Sequence, residues 1–181
     1  MNIKPTTLDG CFIIEPKVLD DERGYFFESF HQQKFQELTG IKTQFVQDNQ
    51  SMSQRGVLRG LHLQTGKFVQ SKLVRVIKGS VLDVAVDLRK DSSTFGEHFS
   101  IILSGKNKLQ LFIPRGFAHG FVVLEDDTIF SYKCDNYYNK LAEDGVMYND
   151  PDLHIDWMIE EHEIQLSEKD MNLKTLSHFT I

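Results

Sequence analysis

Two stretches of the chain, residues 55–64 and 114–120, carry too much glycine and histidine to be plain core strands. In the first, Leu58-Arg59-Gly60-Leu61-His62 sets a permanent cation and a base that titrates near neutrality around one glycine, so that both can serve a single cleft. Lys72 follows after a short loop, at the entrance to an apolar segment. Tyr132 ends a segment whose alternation puts it on one face with Thr128, Phe130 and Cys134, pointing inward. Asp170 lies in Ser167-Glu168-Lys169-Asp170. A base, a phenol that keeps its proton at neutral pH, a cation and a carboxylate are the groups that proton transfer at carbon requires. Each also has an ordinary structural use: a packed histidine, a core tyrosine, a solvated strand-end lysine and the first turn of a capped helix. Spacing alone leaves both uses open.

Metal chemistry is the obvious rival. Pro114-Arg115-Gly116-Phe117-Ala118-His119 matches the PxGxxH element of cupin barrels, whose histidine often binds a metal. The partner element would be His-x-His with a glutamate soon after. Here it reads His62-Leu63-Gln64-Thr65 with no nearby glutamate. Two histidines without a carboxylate make a poor site for iron, manganese or zinc. The ligand set therefore predicts no metal.

The elements that must hold these residues read mainly as strands. In Val81-Leu82-Asp83-Val84-Ala85-Val86-Asp87-Leu88 the even positions are apolar and two odd ones are aspartate, the period of a half-buried strand. Residues 73–77 precede it across Lys78-Gly79-Ser80, which predicts a hairpin. Phe99, Ile101 and Leu103 alternate, residues 104–107 turn, and Leu109, Leu111 and Ile113 alternate again. Residues 121–124 and 128–132 predict another pair across Glu125-Asp126-Asp127. Many short strands at regular spacing predict a sandwich or barrel. Helix is scarce: residues 31–38, with Phe35 and Leu38 inward and Gly40 as the stop, and a second start near Ser167. One domain over residues 1–181 is predicted. With 40% apolar and 25% charged residues the chain can bury a core. The net charge of −6 and the scattered lysines and arginines argue against nucleic acid as a partner. Two distant cysteines, Cys11 and Cys134, give no disulfide framework. No apolar run suits a signal peptide or a membrane span, so a cytoplasmic location without membrane contact is predicted.

Beyond these local signals, ordered motifs run from about residue 8 to about residue 170. Asp21-Glu22-Arg23-Gly24-Tyr25-Phe26-Phe27-Glu28, Phe45-Val46-Gln47-Asp48-Asn49, the stretch around His62, Lys72-Leu73-Val74-Arg75, Pro114 to Phe121, Tyr132-Lys133, Tyr137-Tyr138, Asn149-Asp150-Pro151-Asp152, Ile155-Asp156-Trp157 and Leu166 to Asp170 resemble the dTDP-4-dehydrorhamnose 3,5-epimerase family. The resemblance implies a homodimeric, mainly β, cupin-type jelly-roll barrel with a few short helices, which uses no metal and no organic cofactor. It implies a dTDP-linked 4-keto-6-deoxy sugar as substrate, inverted at C3 and C5 through an enolate. His62 then resembles the general base, Asp170 the carboxylate that orients it, Tyr132 the acid on the opposite face, and Lys72 the cation at the C4 oxygen. Arg59 and His119 match contacts to phosphate and sugar. Gln47, Asp48, Asn49 and Tyr138 match the nucleotide end, with Tyr138 suited to stacking on thymine. Glu143 and Lys169 match further substrate contacts. Arg23, Phe26 and Glu28 match an arm whose Arg23 and Glu28 complete the neighbouring subunit's site.

Two positions depart from the pattern: Leu63, where an aromatic is usual, and Lys67, where proline is common. Neither removes a proposed catalytic group. Relatives that only invert C3, or that act as 3,4-ketoisomerases, often lack or move the acid tyrosine, which is present here. A non-catalytic sugar-binding cupin would be free to lose His62, Tyr132 or Asp170, and all three are present.

Overall fold

Strands form where the alternation places them, yet the turns between them do not close hairpins. The computed structural model describes residues 1–179, so residues 180 and 181 of the predicted domain lie outside the described residues. The strands are β1 (Asn2–Pro5), β2 (Phe12–Glu15), β3 (Leu19–Asp21), β4 (Gly24–Phe26), β5 (Gln47–Ser53), β6 (Leu58–Gln64), β7 (Lys72–Lys78), β8 (Ser80–Asp87), β9 (His98–Ser104), β10 (Gln110–Ile113), β11 (Phe117–Val123), β12 (Thr128–Cys134) and β13 (Glu143–Gly145). Helices α1 (Gln32–Thr39) and α2 (Glu168–Met171) interrupt them. One sheet runs β1-β2-β10-β7-β12-β5 and the other β13-β6-β11-β8-β9, while β3 and β4 pair only with each other. This is the jelly-roll arrangement. Residues 58–64 and 117–123, set apart by their glycines and histidines, are strands of the second sheet.

The predicted hairpins are thereby corrected. β7 and β8 lie in different sheets, as do β11 and β12, and the turn at residues 104–107 likewise leads from β9 in one sheet to β10 in the other. Each turn carries the chain across the barrel instead of back along the same sheet. At the first crossing Gly79 takes φ +79°, and a Cβ there would collide with Thr128, the first residue of β12. Alternation fixes which face of a strand is apolar but does not choose its neighbour. β8 shows what made the difference. Every residue from Ser80 to Asp87 is buried, which corrects the half-buried reading. Val81 and Ala85 join Val74, Leu111, Phe117 and Phe130 between the sheets. Leu82, Val84 and Val86 pack with Leu153, Trp157 and Phe179 of the C-terminal segment, which covers the outer face. A strand covered on both faces belongs in the middle of a sheet, and β8 pairs with β11 and β9.

Helix α1 is capped by the His31 side chain and stopped by Gly40 in the left-handed region at φ 72°. Phe35 is fully buried against Phe112 and Ile14, but Leu38 is exposed, contrary to the inward placement predicted for it. So short a helix touches the sheet through one residue. No helix of the described residues is long and apolar enough to cross a membrane.

Candidate active site

One end of the barrel is packed with apolar side chains and the other is hollow and polar. The hollow end holds a cavity of about 350 Å³ lined by Arg59, His62, Lys72, His119, Tyr132 and Asp170, together with Asn49, Gln50, Ser51, Phe121, Glu143, Ser167 and Lys169.

β6 needs a local distortion to supply both Arg59 and His62. Residues three apart on a regular strand face opposite ways. Here His62 lies opposite His119 and Arg59 opposite Phe121, so β6 uses one more residue than β11 between the same two rungs. This bulge returns both side chains to the interior while Leu58, Leu61 and Leu63 stay on the covered outer face. Gly60 makes it possible: its φ is +126°, and a Cβ would stand 2.5 Å from the Gly120 Cα of β11.

His62 and Asp170 meet across two elements. His62 Nε2 lies 2.5 Å from Asp170 Oδ1. Ser167, the N-cap of α2, accepts from the Asp170 backbone N–H and donates its hydroxyl to Asp170 Oδ2 at 2.7 Å. Asp170 thus serves both of its possible uses at once, as a first-turn helix acid and as the partner of a histidine. Burial pushes its carboxyl up, but the bonds from His62 and Ser167 outweigh that and hold it below its ordinary range.

A second imidazole–carboxylate pair stands beside the first. His119 Nε2 lies 2.9 Å from Asp83 Oδ2, and both residues are buried. Burial pulls the imidazole of His119 below its ordinary value, against the opposing attraction of Asp83. Lys72 begins β7 on the facing sheet, and its Nζ reaches toward the His62 carbonyl oxygen at 3.5 Å. Burial lowers the pKa of Lys72, tempered by the fields of Cys134, Asp83 and Glu143. Tyr132, also from the facing sheet, is pushed up to about 12 by burial and holds its proton at neutral pH.

A smaller polar recess shares Asn49, His62, Lys72, Tyr132 and Glu143 with the cavity and adds Gln47 and Tyr138. The Tyr138 hydroxyl donates to Glu143 Oε2 at 3.0 Å, and Lys169 Nζ donates to Glu143 Oε1 at 2.8 Å. Asp48 lies apart from both. Its neighbours Gln47 and Asn49 turn inward while Asp48 stays exposed, bound to Lys133. Arg23, Phe26 and Glu28 are not brought to the cavity of their own chain: Arg23 pairs with Asp21, Glu28 with Lys34, and Phe26 is exposed. No three histidine, cysteine, aspartate or glutamate side chains among the described residues converge as metal ligands.

Sequence reasoning missed Asp83, Ser51, Ser53 and Phe121. Ser53 accepts from the Arg59 guanidinium at 3.3 Å. Asp83 carried a signal, since it shares parity with Val81 and Ala85 in a strand that is apolar on its other face. An acid there faces the interior once that other face is covered as well.

The chain resembles known proteins over nearly its whole length. A family model described as dTDP-4-dehydrorhamnose 3,5-epimerase matches residues 5–178. A protein of that name from Methanothermobacter thermautotrophicus is 54% identical over 172 residues, covering 94% of this chain and 92% of its own. A crystal structure of dTDP-4-dehydrorhamnose 3,5-epimerase from Elizabethkingia anophelis superposes with a TM-score of 0.95 at 57% identity, covering 98% of this chain and 97% of that one. A dTDP-6-deoxy-D-glucose-3,5-epimerase from Legionella pneumophila, in complex with dTDP-4-keto-L-rhamnose, gives 0.95 at 52%, covering 99% and 94%.

Proposed function

The chain belongs to the dTDP-4-dehydrorhamnose 3,5-epimerase family, and from that premise we propose how its own residues perform the reaction. It is an isomerase that converts dTDP-4-dehydro-6-deoxy-D-glucose to dTDP-4-dehydro-L-rhamnose in dTDP-rhamnose biosynthesis. The observation that carries the mechanism is the placement of His62 and Tyr132 on opposite sheets with the cavity between them. Inverting a carbon requires a proton to leave by one face and return by the other. A base and an acid on facing walls meet that requirement.

His62 removes the proton from carbon beside the ketone. Asp170 on Nε2 fixes the tautomer, leaving Nδ1 as the basic nitrogen, and stabilises the imidazolium that forms. The negative charge moves to the C4 oxygen, where the Lys72 ammonium stabilises the enolate by about 3 kcal/mol. Tyr132 delivers a proton to the far face. Arg59, with a forked guanidinium at the cavity wall, and His119 hold the diphosphate and sugar. Gln47, Asn49 and Tyr138 hold the nucleotide beside Glu143 and Lys169. No step needs a metal or an organic cofactor. A cytoplasmic location, where nucleotide sugars are made, suits this chemistry.

The chain works as a homodimer in this reading, its β3–β4 arm entering the neighbour's cavity. Two features support that: β3 and β4 pair with no other strand, and the Arg23 side chain is 89% exposed. Mixed dimers of Arg23→Ala and His62→Asn chains should regain activity, because one site then holds both wild-type residues. No rescue with confirmed subunit exchange would place the arm in its own subunit's site. The mechanism itself is tested by proton NMR of substrate and enzyme in heavy water. Deuterium is expected at both C3 and C5; deuterium at C3 alone would mark a 3-epimerase.

A further inference from the structure

The cavity wall is polar with one exception. Among the described residues that line it, Phe121 is the one side chain without a polar atom. Its ring lies on that of Phe130, centroids 4.1 Å apart and planes 21° from parallel. Phe130 is buried in the core, so the pair presents a fixed apolar floor. The sugar of the substrate read above is also polar with one exception, the C6 methyl.

Resting on that reading, we propose that Phe121 seats the C6 methyl and is the residue by which this enzyme prefers 6-deoxy sugars. Connectivity within the sugar agrees with connectivity within the sheet. The methyl is carried by C5, which joins C1 and its diphosphate through the ring oxygen. An apolar surface for the methyl must therefore neighbour a cation for the diphosphate. Phe121 lies directly opposite Arg59 in the β6–β11 register, and residues so paired share a face. C3 is likewise two bonds from C1, through C2, but it carries a hydroxyl where C5 carries the methyl. Inverting C5 swings the methyl from one side of the sugar ring to the other, whereas inverting C3 leaves it attached as before. A flat ring without hydrogen-bonding groups accepts the methyl in either position, so neither epimer is trapped. A 6-hydroxyl on the same surface loses its water and gains no partner.

The test compares wild type and Phe121→Asn on the 6-deoxy substrate and its 6-hydroxy counterpart in heavy water. An apolar pocket rejects an added hydroxyl by about 10²-fold, which is the preference expected of the wild type in kcat/KM. Phe121→Asn should cut that ratio at least about tenfold, or about 1.4 kcal/mol. It should also slow deuterium entry at C5 more than at C3, and continued exchange at C3 in the same sample reports a folded site. An unchanged ratio, or equal slowing at both carbons, overturns the proposal. Should Phe121→Asn fail to fold, a nuclear Overhauser effect decides. In protein deuterated except at phenylalanine, ring protons should reach the methyl of bound dTDP-4-keto-L-rhamnose in wild type and not in Phe121→Leu. Absence in wild type, or persistence in Phe121→Leu, overturns it equally. No exchange at all by wild type removes the epimerase reading, and this inference falls with it; normal exchange with an unchanged preference removes the inference alone.

Discussion

The barrel contains two imidazole–carboxylate pairs that share one chemistry and differ in everything around it. His62–Asp170 joins a bulged strand to a helix cap in the C-terminal segment, and the His62 side chain is 19% exposed. His119–Asp83 joins two paired central strands, with side-chain exposures of 6% and 0%. Both histidines line the cavity, but the first pair is the more exposed and is held by a segment outside the sheets. The second is locked within them. A base must take up and give away protons at solvent-exchangeable rates, which suits the first setting. A group that only orients a ligand gains from rigidity, which suits the second. The contrast teaches that a histidine bonded to an aspartate does not by itself name a base; access decides.

The largest test of that contrast sets His62 against the acid facing it. His62→Asn should lower turnover by about 10⁴-fold and abolish deuterium exchange at both carbons. Tyr132→Phe should keep exchange, because His62 can return a deuteron to the original face, while inverted product nearly vanishes. A proton NMR time course in heavy water with product trapped by a reductase reads both. Wild-type exchange in His62→Asn would remove the base assignment.

Asp170→Asn should cost on the order of 10²-fold in kcat with a smaller change in KM, since the amide fails to orient the imidazole and to stabilise the imidazolium. It carries a stability signature as well. The Asp170 carboxyl titrates below its ordinary value of about 4, so its contribution is full above that value and fades as pH falls through the lower folded value. Melting curves of wild type and Asp170→Asn should therefore differ at pH 7 and converge in acid. A gap that widens in acid would contradict a carboxylate stabilised by its bonds in the folded state.

Asp83→Asn should have the smallest effect, about tenfold, borne mainly by KM because His119 is placed to hold substrate rather than to move protons. A kcat loss as large as that of Asp170→Asn, with exchange at carbon equally impaired, would make the two pairs equivalent and break the comparison.

The sequence by itself determined the positions of β7 to β10 and β12, the Ser167 cap, the Gly40 stop and the inward parity of Tyr132, because each depends on neighbours a few residues away. Ordered motifs also placed His62, Lys72, His119 and Asp170 together before any distance was known. Only the tertiary structure decided which strands pair. Period two marks faces and leaves partners open, so two turns that looked like hairpins became crossings between sheets. Only the structure showed that the C-terminal segment covers β8, burying Asp83 and giving His119 its carboxylate. Likewise, a bulge counted against β11 is what puts Arg59 and His62 on one face. Burial and bulges are set by contacts between residues distant in the chain, and local pattern does not record them.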